Sequence, residues 1–202
     1  MSYDELSSQG CEKTESLLPP TPTSGTYKVK YHAEDAQDFV LDVDRTPVDL
    51  TLIMPHYRAL NQPIDHKMSM FVVNRFGSTK LKVCRNTSLS RFQLEVVSSS
   101  ADVTIWIPSD FKGRIFYTGK AKFSSGFINR VMQNAHINDA FARDYSDEDD
   151  VFVDTKGLVH FRMWDIHTGA PENSTRESLK RLFGCTRRTP AMELNWDFLI
   201  ED

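Results

Sequence analysis

The chain of 202 residues contains few cysteines and no long apolar segment. Its three cysteines, Cys11, Cys84 and Cys185, are too few and too scattered for a disulfide framework or a zinc site. No apolar run approaches the length of about 18 residues that a transmembrane helix needs. The N-terminus is acidic and polar, and it lacks the basic start and apolar stretch of a signal peptide. These absences predict a cytoplasmic protein with no membrane span.

The sequence also lacks the short motifs that mark common catalytic and cofactor sites. A nucleophile elbow, a dinucleotide-binding glycine loop, a P-loop and an H-E-x-x-H helix are all absent. No helix-turn-helix, zinc-finger or RNP pattern is present, and a chain of formal charge −4 lacks the strongly basic character typical of nucleic-acid-binding domains. We therefore predict no cofactor and no metal, and we disfavour nucleic acid as a partner.

What the chain does contain is a regular series of short apolar runs. Apolar residues make up 40 % of the chain and aromatic residues 11 %, which is enough for a sizeable core. From Thr26 onward, runs with alternating or continuous apolar residues recur at a spacing of roughly 8–15 residues. They predict a mainly β fold, with antiparallel strands stacked in a sandwich or a short β-solenoid. The predicted strands are residues 27–31, 39–43, 48–54, 68–75, 80–84, 91–97, 102–107, 114–118, 120–123, 151–153 and 158–164.

The ends of the chain differ from this pattern. Residues 1–25 are rich in Ser, Thr, Pro and acids, which predicts a disordered tail ahead of a single domain over residues 26–202. Near the other end, Ser174 and Glu177 fit a capping box, which predicts a helix over about residues 175–183.

A second helix is predicted in the later half of the chain, starting near Ser125. Its evidence is the spacing of Ile128, Val131, Met132 and Ala135, which places these apolar side chains on one face of a helix.

Charged residues are distributed in blocks. Residues 66–138 carry 11 basic and 3 acidic groups, whereas residues 1–65 carry 5 and 11, and residues 139–154 carry 1 and 7. The central strands are therefore basic, which favours a sheet face that binds an unidentified protein or another anionic partner. The candidate contact residues are Lys80, Lys82, Arg85, Lys112, Arg114, Lys120 and Lys122.

Two alternatives stay open at this stage. The first is internal neutralisation, in which the acidic run at residues 144–150 lies over the basic strands. The second is a pocket between the sheet and the helices, for which Cys84, His160 and Asp165 are the candidate residues. Neighbouring lysines lower the pKa of a thiol, and His with Asp are common acid–base groups.

One segment has a recognisable layout. In residues 96–115 a short strand ends in Pro108 and is followed by Ser-Asp-Phe-Lys-Gly and a second strand, and residues 119–124 and 151–154 fit the same layout. This pattern resembles a fungal, mainly mushroom-type, family of uncharacterised proteins known only as a domain of unknown function, over roughly residues 68–164. The resemblance implies a β-rich architecture, a fungal source and a low-complexity N-terminal tail. It transfers no catalytic residue.

Two functional expectations follow. The first is a non-enzymatic intracellular interaction or accessory protein that uses a basic face of its β-sheet. The second is an enzyme or small-ligand carrier that acts as an accessory in a fungal metabolic pathway. A deep pocket with converging His and carboxylate groups would favour the second.

Overall fold

The computed structural model describes residues 23–86, 90–139, 148–173, 175 and 177–179. Strands dominate this part of the chain. In chain order they are β1 (Ser24–Lys28), β2 (Phe39–Val43), β3 (Val48–Ile53), β4 (Met68–Asn74), β5 (Thr79–Cys84), β6 (Phe92–Val97), β7 (Val103–Pro108), β8 (Gly113–Tyr117), β9 (Lys120–Phe123), β10 (Ala135–Ile137), β11 (Asp149–Asp154), β12 (Leu158–Asp165) and β13 (Ala170–Pro171).

Within the described residues these strands form two sheets. Sheet A has the order β1-β3-β5-β7-β12-β13, with β9 also paired to β12, and sheet B has the order β10-β8-β11-β6-β4-β2. Neighbouring strands run parallel, apart from the antiparallel pair of β12 and β13. From β1 to β10 the chain alternates between the two sheets, so it winds as a coil with one strand of each turn in each sheet.

The predicted mainly β fold is confirmed, but the predicted antiparallel arrangement of its strands is wrong. Alternating apolar residues identify a strand with one buried face, but they do not fix the direction of its neighbour. Short connections normally favour antiparallel hairpins. Here they join strands of opposite sheets, as residues 44–47 do between β2 and β3, so the next strand in the same sheet returns in the same direction.

The inward-facing side chains of both sheets form one hydrophobic core. On sheet A they include Leu50, Leu81, Ile105 and Phe161, and on sheet B they include Phe92, Leu94, Ile115 and Val151, all fully buried. Strand positions predicted from alternation agree with the structure to within about three residues, because the same alternation decides which side chains enter this core.

Strand β11 is inserted into the middle of sheet B, and strand β12 is inserted into the middle of sheet A. The chain skips one position in each sheet when it passes from β6 and β7 to β8 and β9. Strand β11 later fills the position between β6 and β8, and β12 fills the position between β7 and β9. Residues that are distant in sequence therefore complete the centre of the core.

Helical structure is sparse in the described residues. Helical backbone begins at Ser125, as predicted, but after two α-helical residues it continues only as one π-helical turn, Phe127–Val131, and one 3-10 turn, Met132–Asn134. The chain then extends into β10, which pairs with β8 and replaces the rest of the predicted helix.

The chain ends are only partly described. Residues 175 and 177–179 have helical backbone, and the remainder of the helix predicted at 175–183 lies outside the described residues. The same holds for residues 1–22 of the predicted tail, whereas Ser24 and Gly25 belong to β1. None of the helices in the described part of the chain has the length and hydrophobicity needed to cross a bilayer.

Candidate anion-binding face

The outward side chains of sheet A bring together basic residues from several strands. In register, Lys80 on β5 lies beside Thr104 on β7, which lies beside His160 on β12. His160 in turn lies beside Lys122 on β9. The next row places Trp106 between Lys82 and Arg162. We define the basic face as the outer surface formed by Lys80, Lys82, Trp106, Lys120, Lys122, His160 and Arg162.

Trp106 occupies the centre of the basic face, between two cations. The Nζ of Lys82 and the Cζ of Arg162 each lie 5.3 Å from its ring centroid, within the range of cation–π attraction. The residue is only 8 % exposed, and its indole Nε1–H has no hydrogen-bond acceptor among the described residues. A buried donor without an acceptor costs about 1–3 kcal/mol. Because this nitrogen is itself buried, the missing acceptor does not mark a contact point for a ligand.

The cations of the basic face differ in their counter-ions. Lys82 Nζ lies 2.6 Å from Asp49 Oδ1, and Arg162 Nε lies 3.3 Å from Oε1 of the buried Glu172. In contrast, Lys80, Lys120 and Lys122 are exposed and form no ion pair with any described residue. Within the described part of the chain, these three charges are therefore not neutralised.

A shallow groove of about 200 Å³ lies at one side of the basic face. It is lined by Lys122, Phe123, Ser124, His160, Phe161 and Arg162. Its walls thus combine the cationic side chains of Lys122 and Arg162 with one partly buried aromatic residue, Phe123, whereas the ring of Phe161 is fully buried in the core.

Three of the predicted contact residues do not lie on the basic face. Arg85 is buried, and its guanidinium donates to Asp110 Oδ1 and Asp149 Oδ1, each at 2.9 Å. Lys112 Nζ lies 3.2 Å from Glu148 Oε1, and Arg114 Nε lies 2.7 Å from Asp150 Oδ1. We call Glu148, Asp149 and Asp150 the acidic corner. The charges of Arg85, Lys112 and Arg114 are therefore neutralised by carboxylates of the same chain, which is the first of the two alternatives that the sequence left open.

The acidic corner contains a carboxyl group with an unusual proton affinity. Burial raises the pKa of Asp149 to about 6, and the attraction of Arg85 and the amide donors of Phe92 and Lys112 offset only part of that effect. The group is 3 % exposed. The acidic corner thus carries a buried negative charge at neutral pH. Because this charge is paired with Arg85, we assign it a structural role.

The three candidates for a reactive pocket are not brought together. Cys84 is buried at the end of β5, and burial raises the pKa of its thiol to about 12 in spite of nearby Lys82. His160 faces outward on the basic face, whereas Asp165 ends the same strand and lies 3.6 Å from Arg130. Neither Cys84 nor Asp165 lines the groove beside His160.

Sequence reasoning missed Trp106 and Arg162 as parts of this face. The signal that identifies them is the alternation of side chains along a strand, since residues two apart lie on the same side of the sheet. Trp106 therefore shares its side of β7 with Thr104, and Arg162 shares its side of β12 with His160. That parity becomes informative only when the register between the two strands is known.

Comparison with known proteins gives a family. A family model described as Domain of unknown function (DUF7330) matches residues 14–148. The chain belongs to this family. The expected likeness to a domain of unknown function is thereby confirmed, over different bounds. Searches of curated proteins and of solved structures returned no match.

The DUF7330 match ends immediately before a strand of the structure. The match ends at residue 148, and β11 begins at Asp149. The matched region therefore contains most of the basic face but not the two strands that fill the centre of the sheets. In this DUF7330 protein the folded unit extends at least through β12.

Proposed function

We propose that this DUF7330 protein is a non-enzymatic intracellular accessory protein, of the fungal origin implied by the sequence resemblance, that binds an acidic segment of a partner protein. The observation that carries this proposal is the set of three exposed lysines, Lys80, Lys120 and Lys122, without counter-ions among the described residues.

The spacing of these groups supports a chain-like partner. Lys80 and Lys122 are separated by three strand spacings, or about 14 Å at roughly 4.8 Å per strand. Lys120 lies two residues from Lys122 on the same strand, about 7 Å away. A single small anion does not reach all three ammonium groups, whereas an extended acidic segment laid across β5, β7, β12 and β9 does.

The arrangement gives less support to catalysis. The thiol of Cys84 is kept protonated by burial, and His160 has no carboxylate partner among the described hydrogen bonds and ion pairs. A non-enzymatic role therefore accounts for more of the geometry than an enzyme or a small-ligand carrier does.

A direct test uses labelled poly-L-glutamate as the probe and fluorescence anisotropy as the readout. The variant Lys80→Glu/Lys120→Glu/Lys122→Glu is expected to lose at least about tenfold in affinity at low salt, because attraction becomes repulsion. A charge-matched control is Lys30→Glu/Arg58→Glu/Lys156→Glu, whose residues are exposed and lie outside β5 and β9. Retained binding in the first variant, or equal loss in the control, would overturn the proposal.

A second probe separates classes of anion. A single-stranded oligonucleotide of equal charge is expected to bind less tightly than poly-L-glutamate at about 150 mM salt, because Trp106, the aromatic residue of the basic face, is only 8 % exposed and offers little surface for base stacking. Tighter binding of the oligonucleotide would replace the acidic protein segment with nucleic acid as the partner.

A further inference from the structure

The outer face of sheet B, on the opposite side of the molecule from the basic face, carries one row of mostly apolar side chains. In register, Val40, Phe71, Glu95, Phe152 and Phe116 form one row across five neighbouring strands. Val40 is 46 % exposed and Phe116 is 45 % exposed. At roughly 4.8 Å per strand, this row is about 19 Å long. We call it the aromatic row.

Glu95 lies in the middle of the aromatic row, with Phe71 on one side and Phe152 on the other. No cation forms an ion pair with its carboxylate among the described residues. Arg114, the nearest outward-facing cation on β8, is engaged by Asp150 at 2.7 Å. A carboxylate set in an apolar surface without a counter-ion is a specific feature, because covering it with apolar groups alone would leave a buried charge.

A groove of about 240 Å³ opens beside Glu95. Its walls include Val97, Phe116, Phe152 and a second carboxylate, Asp154, whose described partner is the hydroxyl of Thr118 at 2.6 Å. Two carboxylates without cations and two phenyl rings thus line the same groove. This is the combination that favours an ammonium or guanidinium group, through ionic attraction and cation–π contact together.

We propose that the aromatic row binds an amphipathic segment of a partner protein that inserts a Lys or Arg side chain beside Glu95. The charge complementarity comes from Glu95 and Asp154, and the length of the row exceeds what one small organic cation covers. Apolar residues of the segment lie on Val40 and Phe71, and its cation lies in the groove next to Phe116. The site is separate from the basic face and does not depend on the function proposed for it.

The experiment uses the full chain and an 18-residue amphipathic peptide of Leu and Lys, followed by fluorescence anisotropy at about 150 mM salt. We expect Glu95→Gln and Phe116→Ala each to weaken binding at least about tenfold. A matched control is Glu34→Gln, which removes the same charge from an exposed loop and is expected to leave affinity unchanged. A peptide with Glu in place of Lys is expected not to bind.

Three results would overturn the proposal. The first is equal affinity of the Leu/Lys peptide for the wild type, Glu95→Gln and Phe116→Ala. The second is displacement of the peptide by millimolar n-butylammonium, which would make the groove a site for a small organic cation. The third is a wild-type dimer in sedimentation equilibrium that Phe116→Ala dissociates, which would assign the row to a second copy of this chain.

Discussion

Arg85 and Asp149 are 64 residues apart in sequence and form a buried ion pair in which Nη1 lies 2.9 Å from Oδ1. The same guanidinium holds Asp110, which precedes Phe111 at the turn between β7 and β8. Arg85 therefore joins the end of β5, the β7–β8 turn and the start of β11. This contact fixes the inserted strand at the point where it enters the core.

The variant Arg85→Met is expected to lower the free energy of unfolding by about 3–5 kcal/mol, because it leaves the buried Asp149 carboxylate without its cation. Lys80→Met is the matched control, since Lys80 is exposed and unpaired among the described residues, and its effect is expected to stay within about 0.5 kcal/mol. Urea denaturation measures both. A loss below about 1 kcal/mol for Arg85→Met would contradict the structural role of this pair.

Asp149 predicts a specific pH dependence of stability. Burial raises its pKa from 3.8 to about 6, so the folded state holds the proton more tightly than the unfolded state does. This tighter proton binding stabilises the folded state fully below about pH 3.8, and the stabilisation is lost as the pH rises through about 6. Between pH 4.5 and pH 7 the wild type is expected to lose about 2 kcal/mol relative to Asp149→Asn. Urea denaturation at several pH values measures the free energy of unfolding of both proteins. If it changes equally with pH in the wild type and in Asp149→Asn, the prediction is wrong.

Gly113 explains part of the Phe-Lys-Gly pattern seen in the sequence. It has a φ of +150° and pairs with both Ala135 and Asp149, and a Cβ at this position would overlap the carbonyl oxygen of Asp149. Gly113→Ala is therefore expected to destabilise the protein by about 3 kcal/mol or more, through strain and steric overlap.

Gly169→Ala separates these two contributions. Gly169 has a φ of +61°, but a Cβ there meets no atom within 4 Å, so only the backbone strain of about 1 kcal/mol remains. Thermal melting compares the two variants. Equal decreases in melting temperature would mean that the close approach of the Asp149 carbonyl to Gly113 does not contribute to the cost of Gly113→Ala.

The sequence predicts the strands well because burial on one face is a local property. Phe39–Val43 and Lys120–Phe123 have the predicted bounds, and the pattern in Phe92–Val97 assigns the correct residues to the core. Strand direction and order are not local. They depend on which sheet each short connection leads to, and on the insertion of β11 and β12 between earlier strands.

The same distinction applies to the candidate site. Charge blocks select Lys80, Lys120 and Lys122, which the structure leaves exposed on sheet A. The blocks also select Arg85, which pairs with an aspartate 64 residues later and is buried. Net charge over a segment does not show which cations are neutralised internally, because that depends on the long-range register.

Cys84 is expected to be chemically inert in the folded protein. Burial raises the pKa of its thiol to about 12, so the reactive thiolate is scarce at pH 8. In a Cys11→Ser/Cys185→Ser background, reaction with a disulfide reagent is expected to be at least about 100-fold slower for the native protein than in urea. Rapid reaction in the native state would restore Cys84 as a candidate nucleophile.

The insertion of β11 and β12 predicts that the region matched by the family model is not an independent folding unit. A chain ending at residue 148 would lack Val151, Val159 and Phe161, which are fully buried between the neighbouring strands. It would also leave open backbone edges on β6 and β7 and leave Arg85 without Asp149. We expect no cooperative thermal transition and rapid proteolysis for this chain, in contrast to the full chain. Cooperative melting of residues 1–148 would show that the earlier strands close up without the insertion.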